Sequence, residues 1–225
     1  KGSEAKQVFN AQLACAKIKG MSIIQDKILG SGEALDRLAA LDADIATAIA
    51  KYGRPEDRSL PADYSTLARS VIGQQISRSA ASAIWQRMLC QKLAKADVIS
   101  TMSVDALKPL GLSKRKAEYL IGIAKEVSSG QLDFVSLQKL SGDEVQARLI
   151  QIRGIGTWTA DNFRLFALGD INAWPVNDLA LQEGMRRLKN LNERPSGKQM
   201  EQLGTNWQPY RGAGALMLWH IYGVL

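Results

Sequence analysis

The chain has 225 residues, 46% of them hydrophobic and 23% charged, enough for one large domain or two small ones around a real core. Its formal net charge of +7 and pI near 9.5 favour a polyanionic partner, nucleic acid before acidic membrane. Two cysteines, Cys15 and Cys90, exclude a four-cysteine metal site and a disulfide framework, and no apolar run reaches the ~18 residues of a membrane span.

The opening KGSEAKQVFNAQ lacks the apolar core of a secretory signal, so an intracellular, reducing location is expected. From Glu33, apolar residues recur at three and four: Leu35, Leu38, Leu41, Ile45 and Ile49 predict a helix that Gly53 stops. Asp63 stands where an N-cap belongs, before a helix carrying Tyr64, Leu67, Ala68 and Val71. After Gln74-Gln75-Ile76-Ser77 another helix reads Ala80, Ala83, Ile84, Met88. Ser113 caps a longer one, with Ala117, Leu120, Ile121, Ala124 and Val127 on one face and Gly130 at its end. Lys114, Arg115 and Lys116 put positive charge at that helix start, which is locally unfavourable and points to an external anion or a solvated face.

Val145, Leu149 and Ile152 share the face of the next helix, which is expected to end at Ile152. The chain then turns through Arg153-Gly154-Ile155-Gly156 and restarts as a helix at Thr157. Glycines at 154 and 156 permit unusual φ and leave room for a close approach, while the new helix offers free N–H groups and the positive end of its dipole. That makes an anion site, with Gly154, Gly156, Thr157 and Thr159 as candidates for a DNA phosphate; a plain helix–helix turn is the competing interpretation. Asp178 precedes LALQEGMRRL as a helix N-cap would, and AGALMLWHIYGVL supplies a last helix. His220, the only histidine, sits in that apolar helix and reads as a satisfied, partly buried residue, so Ser/His or Cys/His catalysis has little support.

The pattern predicts an all-α fold of roughly ten short helices, with no strand alternation of useful length. Proline and glycine clusters at YGRPEDRSLP and NAWPVND bracket a central helical domain, residues 64–170. Residues 1–63 and 171–225 would then pack together as a second lobe.

LxxIxGIGxWTA, from Leu149 to Ala160, resembles the helix-hairpin-helix of the HhH-GPD DNA glycosylases. WPVNDLAL from Trp174, VIGQQIS from Val71 and NWQPYRGAGALMLWH from Asn206 extend the resemblance in the family's order. Within the superfamily the chain looks like the alkylpurine (3-methyladenine) glycosylases, in a compact form without the extra N-terminal mixed α/β domain of larger relatives. Arg153 replaces the usual proline of the hairpin and adds a possible phosphate contact.

The resemblance implies a catalytic carboxylate at Asp178, a role compatible with capping. A carboxylate there would stabilise the positive charge that develops on the sugar as the base leaves. Asp161 is a weaker candidate, expected to face solvent or the neighbouring helix. Relatives that also cut the backbone carry a Schiff-base lysine where this chain has Trp158, so a monofunctional enzyme without lyase activity is implied. Trp158 and Trp219 fall at base-pocket positions, where aromatic faces would attract a cationic base; Trp174 and Trp207 read as core. The base must be flipped out of the duplex, and Gln75 is the expected plug, with Gln74 and Ser77 as alternatives. The family hairpin also implies a monovalent cation on the backbone carbonyls of Ile150, Ile152 and Ile155; no other cofactor is expected. The implied function is release of alkylated purines from double-stranded DNA by a monomer. A non-catalytic helix-hairpin-helix DNA-binding module, with Asp178 only a cap, is the alternative; a helical interaction protein whose tryptophans are all core would show no DNA affinity.

Overall fold

The computed structural model describes residues 32–224; the expectations for residues 1–31, including Cys15 and the start of the N-terminal lobe, lie outside the described residues. All regular structure among the described residues is helical. The stretch expected as one helix from Glu33 is two: α1 (Gly32–Leu41) and α2 (Ala43–Tyr52). Asp42 breaks it. Its backbone is extended and its carboxylate accepts the Asp44 N–H, so it caps α2. Two distant groups hold it there: Lys189 Nζ lies 2.6 Å from Oδ2, and Trp207 Nε1 donates to the same oxygen at 2.7 Å.

Side-chain caps set most later starts. Asp63 caps α3 (Tyr64–Gly73), Ser77 caps α4 (Arg78–Cys90) and Ser113 caps α7 (Lys114–Ser128). Between them lie the single turns α5 (Ala96–Ile99) and α6 (Val104–Leu107), and α8 (Phe134–Leu137) follows. Ser141 and Glu144 form a reciprocal capping box on α9 (Gly142–Ile150), which ends at Ile150 rather than Ile152. α10 (Thr157–Leu168) follows the hairpin, and then come α11 (Leu179–Leu188), α12 (Gly197–Leu203) and α13 (Arg211–Val224).

The buried side chains form two clusters. One runs from Tyr64 to Phe163; the other joins α1 and α2 to residues from Leu165 to Ile221. α10 contributes to both, with Phe163 in the first and Leu165 in the second. A fully buried leucine such as Leu38 or Leu120 contributes about 1.5–3 kcal/mol.

Trp174 and Trp207 meet edge to face in the second core, their centroids 5.7 Å apart. α11 and α13 pack backbone to backbone there: a Cβ on Gly184 would stand 2.3 Å from the Leu218 carbonyl oxygen. That close approach brings the start of α11 within reach of the residue after Leu218, which is Trp219. His220 is half-buried and its Nε2 lies 2.8 Å from the Tyr52 carbonyl, a satisfied contact. No helix among the described residues is long and apolar enough to cross a membrane.

Candidate active site

Three N–H groups converge on the Asp178 carboxylate. The Leu181 amide donates to Oδ1 at 2.8 Å, which is the N-cap bond of α11. Trp219 Nε1 donates to the same oxygen at 3.0 Å, and Trp158 Nε1 donates to Oδ2 at 2.8 Å. The cap and Trp219 share Oδ1, and Trp158 holds the far edge, Oδ2, so both carboxylate oxygens are fixed. Trp158 is 37% exposed, while Trp219 is half-buried and stacked on Phe166, with centroids 5.4 Å apart.

The loop that delivers Asp178 is pinned along its length. Arg164, almost fully buried, donates to Asp170 at 3.0 Å, and Arg211 donates to Asn172 at 2.8 Å. Gln182, on α11, donates back to the Val176 carbonyl at 2.8 Å. Asp161 faces the neighbouring helix: it accepts from Gln146 of α9 at 2.6 Å and pairs with Arg164 at 3.1 Å. Burial raises its carboxyl above the usual range, opposed by Gln146 and Arg164. Beside it a polar cavity of 270 Å³ is lined by Trp158, Asn177 and Arg211 among others. A larger cavity of 510 Å³ lies between Arg37, Val145 and Tyr210. Neither of these two cavities is lined by Asp178 or Trp219.

The two hairpin glycines do different work. Gly154 has φ +99, and a Cβ there would stand 2.4 Å from the Tyr119 ring, so it is needed for packing and backbone shape. Gly156 has open space around it and caps α10 with no side-chain bond. It leaves the Thr157 and Trp158 amides at an exposed helix start, a geometry suited to an anion.

Thr159 does not belong with them. Its side chain is buried, and its hydroxyl accepts from Gln74 Nε2 at 3.1 Å. That contact also removes Gln74 from the plug candidates, because the same amide donates to the Gly154 carbonyl at 3.1 Å. Ser77 is occupied too, as the cap of α4. Gln75 remains: it is exposed, with a left-handed φ of 58, at the turn between α3 and α4.

Of the three carbonyls considered for a cation, that of Ile152 already accepts the Ile155 amide at 3.0 Å and keeps one lone pair for another ligand. No group of three or more His, Cys, Asp or Glu residues among the described residues could hold a metal.

Sequence reasoning missed two residues here. Tyr119 looks like a core position on α7, yet it supports Gly154 and is flanked by the guanidiniums of Arg115 and Arg153, 5.6 and 5.7 Å from its ring centre. Lys116, grouped with Lys114 and Arg115 as a surface cluster, donates inward to the carbonyls of Ile72 and Gln74. Local periodicity reports neither contact.

Residues 68–209 match the family model described as HhH-GPD superfamily base excision DNA repair protein. The Bacillus subtilis protein YfjP is 31% identical over 165 residues, 69% of this chain; the chain spans 58% of that relative's length. The chain is also similar in structure to the Schizosaccharomyces pombe 3-methyladenine DNA glycosylase solved with abasic DNA, with TM-score 0.75, 29% identity, and coverage of 83% of this chain and 95% of that one. A Bacillus halodurans DNA-3-methyladenine glycosidase gives TM-score 0.73 at 34% identity, covering 84% and 89%.

Proposed function

Because this chain belongs to the HhH-GPD superfamily of base excision DNA repair proteins, we propose that it is a monofunctional glycosylase releasing alkylated purines from duplex DNA. The observation that carries this is the convergence of Trp158, Trp219 and the α11 start on one carboxylate, Asp178. The glycosylase names of the Schizosaccharomyces pombe and Bacillus halodurans structures support the substrate class.

Alkylation at a ring nitrogen makes the purine cationic and a good leaving group. The C1′–N bond breaks, its electron pair goes to the base, and the base departs neutral. Positive charge develops on the sugar, where the Asp178 carboxylate stabilises it electrostatically. Water then adds its oxygen to C1′ and gives its proton to Asp178 or to solvent. The indole faces of Trp158 and Trp219 attract the flipped cationic base before the bond breaks.

Phosphates would sit at the Gly156–Trp158 amides, with Gln75 filling the gap left in the duplex. A monovalent cation on the Ile150, Ile152 and Ile155 carbonyls would stiffen the hairpin; potassium should then strengthen DNA binding more than an equal concentration of tetramethylammonium. The acting species in this proposal is a monomer.

The test is alkali-dependent strand cutting of methylated duplex DNA, comparing the parent with Asp178→Asn. Asparagine preserves the cap, so folding and DNA binding should persist while base release falls at least ~100-fold. If neither protein releases a base and both bind DNA, the chain is a binding module and Asp178 is only a cap.

A further inference from the structure

Helix α3 ends at Gly73, and its last carbonyls need partners from outside the helix. Lys116, on α7 and distant in sequence, provides them: its ammonium donates to the Ile72 carbonyl at 2.7 Å and the Gln74 carbonyl at 2.6 Å. The Gln74 side chain then reaches the other way, to the Gly154 carbonyl and the Thr159 hydroxyl, both at 3.1 Å. Three segments are thereby tied at one point: the α3–α4 turn, α7 and the hairpin. The next residue, Gln75, holds φ 58, costly for a side chain that is not glycine and stable only where neighbours over-determine it.

We infer that Lys116 and Gln74 are positioning residues that lock the Gln75 turn to the hairpin, so that plug and phosphate site approach DNA as one rigid unit. Lys116 is thus separated in role from Lys114 and Arg115, which stay exposed on the same helix turn. A half-buried ammonium has lost much of its hydration, and burial lowers its pKa accordingly. It is retained because two carbonyls at a helix end replace the lost water. The amide of Gln74 is likewise committed to the protein, leaving Gln75, of the two glutamines, free to enter the duplex. This inference rests on the proposed plugging role of Gln75, but the lock itself can be measured without DNA.

The experiment compares the parent with Lys116→Met, Lys116→Arg, Gln74→Leu and Gln75→Ala, all in the full chain. Amide exchange of residues 73–77 in the free protein should rise about tenfold in Lys116→Met and in Gln74→Leu, with α7 and α13 unchanged. Lys116→Arg, which keeps a donor for both carbonyls, should restore protection. Stopped-flow fluorescence of 2-aminopurine placed beside an abasic site should show insertion slowed about tenfold in Lys116→Met, with affinity for undamaged duplex within about twofold of the parent.

Unchanged exchange in both lock variants would overturn the inference. So would weakened binding to undamaged duplex with a shallower salt dependence, because Lys116 would then be a phosphate contact. If Lys116→Met fails to fold, Gln74→Leu decides the same point from the other end. Should Gln75→Ala leave the fluorescence change intact, the plug assignment falls, and amide exchange alone decides whether the lock exists.

Discussion

Replacing each indole at Asp178 by phenylalanine should give unequal losses, and the inequality follows from the donor count on each oxygen. Oδ1 accepts from the Leu181 amide and from Trp219, so Trp219→Phe leaves one donor in place. Among the described residues Oδ2 accepts only from Trp158, so Trp158→Phe leaves that edge without a protein donor. A hydrogen bond to a charged group contributes about 1.5–3 kcal/mol, and a misplaced reacting group costs up to about 100-fold. Trp158→Phe should therefore slow single-turnover release of 7-methylguanine about 10- to 100-fold, and Trp219→Phe less than about tenfold. Phenylalanine keeps an aromatic face, so binding of the cationic base should weaken far less than the rate. Melting temperatures of both variants should stay near the parent's, because Trp158 is 37% exposed and Trp219 retains its stack on Phe166 in phenylalanine form. The assay is quench-flow release from methylated duplex with enzyme in excess. Equal losses in the two variants, or a faster Trp158→Phe, would refute the orienting role. The second result would mean that the indoles stabilise the carboxylate before reaction more than they place it for reaction.

Gly154→Ala should destabilise the protein by more than ~1 kcal/mol, seen as a fall in melting temperature, because φ +99 and the Tyr119 ring both oppose a Cβ. Gly156→Ala, with open space around it, should melt near the parent yet bind duplex DNA more weakly; a large drop in its melting temperature would reject the phosphate-approach role. Glu183 is held at about 2 by its hydrogen bonds to Arg186 and then Arg187, far below its ordinary 4.5. A depressed acid contributes stability above its unfolded pKa and loses it on acidification, so melting temperature should fall between about pH 4.5 and 2, and Glu183→Gln should flatten that part of the curve. Borohydride should trap no covalent complex with abasic DNA, since an indole at 158 cannot form an imine; a trapped adduct would contradict the hydrolytic mechanism.

Helices were legible wherever a local cap coincided with helical periodicity, as at Asp63, Ser113 and Asp178. The break at Asp42 was not, because Leu38, Leu41 and Ile45 keep helical spacing straight across it. What breaks the helix there is tertiary: Lys189 and Trp207, 147 and 165 positions away, hold the carboxylate in a capping geometry. The same limit applies at the hairpin. Its glycines announce a turn, but the Gln74–Thr159 contact joins residues 85 positions apart, and no local pattern distinguishes a buried threonine hydroxyl from one facing a phosphate. Lys116 looked like its exposed neighbours because charge is visible in sequence and direction is not.

At Asp178 capping and the proposed chemistry rest on one carboxylate, and in that proposal the first is a condition of the second. An aspartate at a helix start has one oxygen committed to the backbone, here Oδ1 to the Leu181 amide, and that bond selects its rotamer. Once the rotamer is fixed, Oδ2 has a defined direction, and it is the edge that meets Trp158 across the hairpin. Gly184 sets the α11–α13 spacing that lets Trp219 close the other side. An uncapped aspartate at the same place would have to be oriented by the indoles alone, one of which is more than a third exposed. In the proposed reaction the cap therefore costs the site nothing in reach and would supply the rigidity that a charge-stabilising group needs before the base leaves.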